Sequence, residues 1–496
     1  MTTVVIAGAG PTGLTLACGL ARQGVAVRVI DRAAEFPTGS RGKTLNPRSL
    51  EVLADLGLGA ALAAGGRTHL PFHKYFDGEF VNETEPFAGA VPTATTPYPA
   101  SLWLPQTRVE RLLRERLAGY GVRVETATEL ADLRQDGAGV EVHLADGGRI
   151  TAEYLVACDG GRSTVRGLLG IPFVGDGDPE PVMVCGDVEV EGLDPGAWHQ
   201  WFGPKGAFML CPFPGTRRWQ LQSSPETGAD GRPLAPSLEG FQRLAALHTG
   251  RADLRLSNAT WLSTWRVNVR MAERYREGRV LLAGDCAHVH PTAGGLGMNT
   301  GIQDAWNLAW KLGYVLRGLA GPALLDSYQE ERLPIAAWTL DVTSAGMAAV
   351  MDGAATPGVG VEAGGVGDHT GLALGYRWSG LAVDRLSGPV RAGDRAPDSP
   401  CAGPEGAPAR LFERFAGDHF TLLGFGPGAR AALTGLPGHI RPVPLDDSDG
   451  TGGAARRAYG ITGDALVLVR PDNHIALTAR PDDRAAVFGY LAGLGA

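Results

Sequence analysis

Cysteine is scarce in this chain: six in 496 residues (Cys18, Cys158, Cys185, Cys211, Cys286, Cys401), with no Cys-x-x-Cys pair among them. That spacing excludes a disulfide framework and a zinc site, so no metal is expected, and it suits free thiols in a reducing cytoplasm. Long apolar runs are missing too. None approaches the ~18 residues of a membrane-spanning helix, so no membrane partner is expected. Positive charge is not in excess: the net charge is −8 and the pI about 5.8, which argues against nucleic acid or an anionic membrane surface. The N-terminal Met-Thr-Thr-Val-Val-Ile-Ala-Gly has no basic segment, so it reads as a strand and not as a signal peptide. What is present is an ordinary globular balance, 44% hydrophobic and 20% charged, with 72 glycines and 34 prolines that mark a loop-rich chain. The length suits two or three domains.

The most organised stretch runs over residues 280–311. An apolar strand leads into a Gly284-Asp285 turn, then a loop containing Gly294, Gly295 and Gly297, then a helix whose Ile302, Ala305, Trp306, Ala309, Leu312 and Leu316 keep helical spacing. A glycine-rich loop feeding a helix start gathers free backbone N–H groups at the positive end of a dipole, which invites a negative group.

The N-terminus supplies a second such place. A buried strand at 3–7 is followed by Gly8-Ala9-Gly10-Pro11-Thr12-Gly13, a helix over 11–23, a strand over 25–30 and Asp31 at its tip. Gly8 permits a tight turn, Gly10 a close approach to pyrophosphate and Gly13 close helix–sheet packing, while Asp31 can hold ribose hydroxyls. This predicts a dinucleotide site, with FAD and NAD not yet distinguished. Arg41 and Lys43, in the loop before a helix over 47–56, are candidates for phosphate or ribityl oxygens.

Further on, residues 72–103 are rich in aromatics and prolines, a charged helix covers 108–117, and 140–144 with 149–153 form a hairpin before a strand over 154–157 and Asp159-Gly160. From 172 to about 270 short alternating strands predict an antiparallel sheet. Period-two spacing puts Phe208 with Leu210, and Trp219 with Leu221, on shared faces; with Trp201 and Phe213 these are the candidates for a cavity wall. Helices follow over 323–332 and 337–351, with Pro334 breaking or kinking between them, then a glycine-rich segment over 353–367 that reads as a linker or lid. The tail is β-α-β in character. It holds a decoy, Gly424-Phe-Gly426-Pro-Gly428 with Asp446 at a plausible distance, but the helix after it meets Gly435 and Pro437 too soon for a dinucleotide-binding unit.

Gly8–Gly13, Asp159-Gly160 and Gly284-Asp285 stand in the order of the single-component FAD-dependent aromatic hydroxylases, the para-hydroxybenzoate hydroxylase-like group, which this chain resembles. Within that group, Gly39-Ser40-Arg41-Gly42-Lys43 with Asn46-Pro47-Arg48-Ser49-Leu50-Glu51 is similar to enzymes that tailor aromatic polyketides. The motif Gly297-Met-Asn-Thr-Gly-Ile-Gln-Asp-Ala305 is the most specific part of the resemblance, which covers roughly residues 1–345. It implies an α/β fold: a Rossmann-type FAD-binding domain (1–171 and 271–350, with some substrate-domain strands around 70–103), an antiparallel-sheet substrate domain (172–270), a linker (351–391) and a thioredoxin-like C-terminal domain (392–496). Cys401 is that tail's only cysteine, which excludes dithiol chemistry there and leaves a structural or dimer role.

By the same resemblance Gly8, Gly10, Pro11, Thr12 and Gly13 bind the FAD pyrophosphate, and Asp31 the adenosine ribose with Arg32 beside it; the family more often has Glu at that position. Arg41 and Gln106 meet the ribityl–phosphate portion and Leu130 the adenine. Asp159 and Gly160 serve FAD and the docking of the reduced nicotinamide cofactor, with Arg162 and Arg166 as positive neighbours. Asp285 holds the ribityl side from the far wall. The amides of Leu296, Gly297, Met298 and Asn299 stabilise negative charge on the reduced flavin. Pro291, Gly294 and Gly295 form the seam beside the substrate. Cys286, Leu296 and Thr292 depart from the commonest residues without removing a backbone donor.

The implied reaction uses NADPH (or NADH), FAD and O2 to place a hydroxyl on an electron-rich polycyclic phenol by way of a flavin C4a-hydroperoxide, in a monomer or homodimer of cytoplasmic location. The ring must sit near the oxygen with water kept out. A base would help form a phenolate; His73, His199, His288 and His290 are candidates and none is singled out. Three alternatives stay open: Baeyer–Villiger oxidation, inactivation of an aromatic antibiotic, and a flavin- or NAD-binding protein without oxygenase turnover. The Trp198-His-Gln-Trp201 spacing disfavours a halogenase.

Overall fold

The computed structural model describes residues 2–175, 182–266, 268–291, 293–365, 367–403, 407–445 and 452–495. Thr292 and Asp446, both named above, lie outside the described residues.

The N-terminal sheet has the strand order Arg276–Glu277, Val280–Leu282, Tyr154–Ala157, Val4–Ala7, Val27–Ile30, Val124–Glu125. Its members are parallel except for the antiparallel edge strand Arg276–Glu277. The inner strands are apolar because both faces are covered, as parallel sheets require, except at Arg28, which pairs with Glu125 of the neighbouring edge strand. The first helix, Pro11–Arg22, packs on one face against the helix Gly297–Leu316, hereafter the seam helix; a Cβ on Gly19 would come within 2.7 Å of Ala309 Cβ. A three-stranded antiparallel unit, Leu130–Gln135 with Val140–Leu144 and Arg149–Ala152, extends the hairpin read from the sequence. Its first strand went unforeseen because Leu130–Gln135 alternates weakly and bulges between Leu130 and Asp132.

The antiparallel sheet expected to hold the substrate has seven described strands in the order Arg255–Arg266, Val182–Glu191, Arg218–Ser223, Gly206–Pro212, Trp198–Gly203, Phe72–Phe76, Glu79–Thr84. The last two come from the aromatic-rich 70–103 region. The stretch expected to be all strand also contains the helix Leu238–Thr249, capped by Ser237 at its start and ended by Gly250 in the left-handed region. That helix sets which sheet face is core. Trp201, Phe208, Leu210, Trp219 and Leu221 are buried against its Phe241, Leu244 and Ala245. The opposite face carries Trp198, Phe202, Met209 and Cys211, packed with Phe72 and Trp103.

Of the break or kink expected at Pro334, the break does not occur. A single helix runs Asp326–Gly353 through the proline. Proline cannot supply the N–H for the carbonyl four residues earlier, but that carbonyl, on Glu330, accepts the indole N–H of Trp378 at 3.0 Å. With the preceding turn it forms Pro322–Gly353, the one described helix long and apolar enough, by composition, to cross a membrane. Its buried stripe includes Glu331 and Arg332, both in ion pairs inside the protein.

The segment read as a linker is docked. Lys74 Nζ donates to Gly358 O at 3.0 Å and pairs with Glu362, and Val361 N donates to Gln200 Oε1 at 2.9 Å. Val383–Asp384 already belongs to the C-terminal sheet, ordered Val383–Asp384, Ile475–Ala479, Ala465–Val469, Phe420–Phe425, Ile440–Leu445. Here Phe420–Phe425 is parallel to Ile440–Leu445 and antiparallel to Ala465–Val469. The tail's glycine loop turns into a 3-10 helix, Pro427–Leu433, and Gly428 N donates to Asp464 Oδ2 at 3.0 Å, so it offers no free phosphate cradle. The C-terminal unit is joined to the rest by buried charge. Arg470 bonds Glu331 at 2.6 and 3.0 Å, Lys311 reaches the same carboxylate at 2.7 Å, and Trp310 Nε1 donates to Asp472 at 3.1 Å. Burial pushes the Glu331 carboxyl up, but Arg470 and Lys311 outweigh it and hold it at about 2.

Candidate functional site

Four adjacent parallel strands end at one edge of the N-terminal sheet, and each end carries one of the motifs. In sheet order, Val280–Leu282 delivers Gly284-Asp285, Tyr154–Ala157 delivers Asp159-Gly160, Val4–Ala7 delivers the Gly8–Gly13 loop, and Val27–Ile30 delivers Asp31. Ligands of open parallel sheets bind outside these carboxyl ends.

The glycines divide by role. Gly8 has φ +108°, and a Cβ there would lie 2.2 Å from Cys158 O; one on Gly13 would lie 2.1 Å from Gly8 O. Both are needed to close loop, strand and helix together. A Cβ on Gly10 would meet nothing within 4 Å, so that position borders open space beside the start of the first helix, whose amides receive no side-chain cap. Thr12 packs between Gly284 and Gly301, where added Cβ atoms would come within 2.6 and 2.3 Å of its Oγ1. The N-terminal loop, the Gly-Asp turn and the seam helix thus close on one another around this residue.

Asp31 Oδ2 accepts from Ala9 N at 2.7 Å and Oδ1 from Ala33 N at 2.9 Å. Each carboxylate oxygen keeps a further lone pair for a ribose hydroxyl. Arg32 and Arg41 are exposed. Gln106 accepts from Gly42 N at 3.0 Å and donates to Glu110 at 2.8 Å, which clamps the 39–43 loop to the helix Gln106–Gly119. Leu130 is buried at the start of its strand. Asp159 Oδ2 accepts from Val165 N at 3.2 Å, while its Oδ1 is buried without a partner. Arg166 donates to Cys286 O and Gly161 O at 2.9 and 3.0 Å, tying the Asp159 and Asp285 loops together, whereas Arg162 is exposed. Asp285 is exposed, between the buried Gly284 and Cys286.

Across the cleft, Pro291 is buried, and Gly294 and Gly295 both adopt the left-handed region at φ +73° and +66°. A Cβ on Gly295 would meet Thr44 Oγ1 at 2.6 Å. The seam helix then starts at Gly297 after Leu296, with no side-chain cap. Its first turn is held by Asn299, whose Nδ2 donates to Gly295 O (2.8 Å) and Thr44 O (3.2 Å), and whose Oδ1 accepts from Asn46 N (2.9 Å). Gly42 stands against Met298, whose Cε would lie 3.4 Å from a Cβ there.

The histidine candidates separate. His73 pairs with Glu83 at 2.8 Å. His199 is buried between Tyr75 OH (3.0 Å) and Asp194 O (2.9 Å), and burial lowers it to about 4. His288 Nε2 meets Asp304 Oδ2 at 2.6 Å. His290 Nδ1 faces Pro291 O at 2.9 Å, which fixes the proton on that nitrogen, and burial lowers this ring to about 4.

Of the six wall candidates, Trp201, Phe208, Leu210, Trp219 and Leu221 face the helix Leu238–Thr249 and form core, while Phe213 lies just past its strand. The alternation was right and the face was wrong. The face toward the 39–43 loop is polar as well as apolar, with Asp187, Gln220 and Gln222 beside Met209 and Cys211. These residues were missed because the aromatic face was taken for the wall. Lys43 turns to this sheet instead of toward a phosphate. Asp304 and Arg332 were missed as well; the one signal was an acid on the apolar side of the seam helix.

Uncapped amides at two helix starts, an orphaned carboxylate oxygen and an open Gly10 fit an extended, anionic dinucleotide, and a second, antiparallel-sheet unit closes over the same edge. That combination fits a dinucleotide-binding protein with a second sheet beside its cofactor edge. The sequence profile of the FAD binding domain family matches residues 1–343. A flavin-dependent monooxygenase of Mycobacteroides abscessus is 39% identical over 99% of both chains. A 6-methylpretetramide 4-monooxygenase of Streptomyces rimosus is 37% identical over 99% of this chain and 96% of its own. The crystal structure of aklavinone-11 hydroxylase with FAD and aklavinone superposes with a TM-score of 0.83 at 28% identity, covering 99% and 98% of the two chains. The chain belongs to this FAD-binding family, and FAD is its cofactor.

Proposed function

We propose that this protein is an NAD(P)H- and O2-using monooxygenase that hydroxylates a polycyclic phenolic substrate, with NADPH the expected reductant. The observation that carries the reading is the joining of three elements: Thr12 of the Gly8–Gly13 loop packs between Gly284 and the seam helix's Gly301, Gly42 lies beside Met298 in that helix's first turn, and Lys43 bonds Gln220 and Gln222 of the antiparallel sheet. The monooxygenase and hydroxylase names of the relatives support it.

In this reading the first helix start and Gly10 receive the pyrophosphate, Asp31 the ribose, and Asp285 the ribityl chain. When bound, FAD supplies the reductive activation of O2 and the transfer of one oxygen atom. The chain's own residues position, shield and polarise. Backbone amides of Gly297, Met298 and Asn299 stabilise negative charge at the flavin's pyrimidine edge. Buried Pro291 and the apolar sheet face hold the ring and exclude water. His290 keeps its proton on the nitrogen turned toward Pro291 O, and its other nitrogen is buried without a partner.

The domain layout follows the same reading: a discontinuous cofactor domain, a substrate sheet completed by the strands at 72–84, and a C-terminal unit whose strand order is that of a thioredoxin-like domain with a single buried cysteine, Cys401. The experiment is steady-state NADPH oxidation by the purified yellow protein. Stimulation by a polycyclic phenol, with a product one oxygen atom heavier, supports the reading. A colourless protein, or one silent with such phenols, overturns it. The product's structure separates hydroxylation from Baeyer–Villiger insertion.

A further inference from the structure

Burial lowers His290 to about 4, which makes it a weak base for a phenol, but the structure places a cation on the antiparallel sheet. Lys43 leaves the 39–43 loop and extends onto the substrate sheet. Its Nζ donates to Gln220 Oε1 at 2.6 Å and to Gln222 Oε1 at 2.9 Å, and lies 4.4 Å from the centre of the Trp198 ring. The orientation of Gln220 is fixed, because its Nε2 donates to Ser40 O and, at 3.2 Å, to Arg41 O, so its oxygen must face the ammonium. Among the described residues no carboxylate lies within ion-pair distance of Lys43.

Buried charges are ordinarily paired, since removing an ammonium from water is costly. Here the partners are two neutral amide oxygens and a ring face. An ammonium has three N–H donors, and the two glutamines use two.

The position is as informative as the pairing. Gly42, the preceding residue, lies so close to the first turn of the seam helix that a Cβ there would be 3.4 Å from Met298 Cε, and Lys43 O accepts from Leu104 N at 2.9 Å. The ammonium therefore stands between the flavin-facing helix start and the sheet face that bears Met209 and Cys211.

The charged and titratable groups around it are few. Asp187 and Cys185 come from one strand, Cys211 from another, and Arg41 from its own loop. Asp187 Oδ2 accepts from Ser40 N at 2.9 Å, and its Oδ1 is buried without a partner. Burial depresses the Lys43 ammonium, which Cys211, Cys185 and Asp187 oppose in part. An incoming anion would restore the compensation that the protein withholds.

We propose that Lys43 receives the negatively charged oxygen of the substrate, a phenolate or enolate of a polycyclic phenol, with Gln220 and Gln222 orienting the ammonium toward the flavin edge. The inference rests on the hydroxylase reading and adds to it the group that selects an ionised substrate. No base is then required at the ring, because the cation lowers the phenol's own pKa and bulk solvent takes the proton as the substrate enters, before water is excluded.

The test uses the FAD-loaded enzyme and alizarin, a dihydroxyanthraquinone whose colour reports its ionisation. The bound dye should ionise at a pH lower than the free dye by roughly one unit or more, as expected for an acid beside an opposite charge. Lys43→Arg should keep the shift and Lys43→Gln should abolish it. Dye that binds wild-type enzyme with unshifted ionisation overturns the assignment, and this arm requires no variant to fold. A shift that survives in Lys43→Gln also overturns it and points to Arg41. Failure of the wild type to bind the dye at all overturns the polycyclic-phenol reading and this site with it, an outcome distinct from the other two.

Discussion

His288 Nε2 lies 2.6 Å from Asp304 Oδ2, and the same carboxylate oxygen accepts the Gly284 amide at 3.1 Å. The other oxygen takes Arg332 Nε at 2.7 Å. One buried acid in the seam helix thus fixes the Gly-Asp turn, the following histidine and the long helix. Burial pushes this carboxyl up, but Arg332 and His288 outweigh it and hold it below the usual range. Asp304→Asn keeps the shape and leaves Arg332 buried without its counter-charge. A loss of about 3–5 kcal/mol is expected, read from denaturant unfolding of the apoprotein, together with weaker FAD binding. Unchanged stability would show that the network is incidental.

Gly10 and Gly13 should separate binding from folding. Gly10 has ordinary φ and open space where a Cβ would go. Gly10→Ala should therefore leave apoprotein stability within about 1 kcal/mol of wild type while weakening FAD binding. Gly13→Ala drives a Cβ to 2.1 Å from Gly8 O and should lower soluble yield and melting temperature as well. Equal behaviour of the two variants would contradict the assignment of Gly10 to the pyrophosphate.

Asp285 has no hydrogen bond to its carboxylate among the described residues. Asp285→Ala should lower FAD affinity by at least about tenfold, or ~1.4 kcal/mol, and leave the apoprotein's melting temperature in place. Titration of flavin fluorescence measures the first and calorimetry the second. Full flavin occupancy in the variant would remove Asp285 from the site.

Asp187 carries a pH dependence of stability. Burial raises its carboxyl from 3.8 to about 6, against the hydrogen bond from Ser40. Between these values the folded state holds a proton that the unfolded state has released. Stability attached to this group is therefore present below pH 3.8 and is lost as pH rises through about 6. The ceiling is roughly 3 kcal/mol at 1.36 kcal/mol per pKa unit. In Asp187→Asn that decline should vanish, so variant and wild type should diverge in melting temperature as pH rises from about 4 to about 6. Parallel curves would argue against the shift.

The cofactor edge was legible because its signals are local: strand, glycine spacing and acid lie within about thirty residues, the length of one βαβ unit. The seam helix was legible for the same reason. What failed depends on distant partners. Alternation grouped Phe208 with Leu210 and Trp219 with Leu221 correctly, but only the packing of Phe241 and Leu244 determines which face is core. Pro334 carries a local rule against helix, and Trp378, 44 residues later, satisfies the carbonyl it frees. Lys43 looked like a phosphate ligand from its loop; Gln220 and Gln222, far along the chain, turn it elsewhere.

The central claim is tested most directly by mass spectrometry of the product formed from a polycyclic phenol, NADPH and isotopically heavy dioxygen. The account predicts a phenolic product carrying one heavy oxygen atom per NADPH productively used. Consumption of NADPH with all heavy oxygen recovered as hydrogen peroxide and water, and none in the organic product for any phenol that binds, would contradict it.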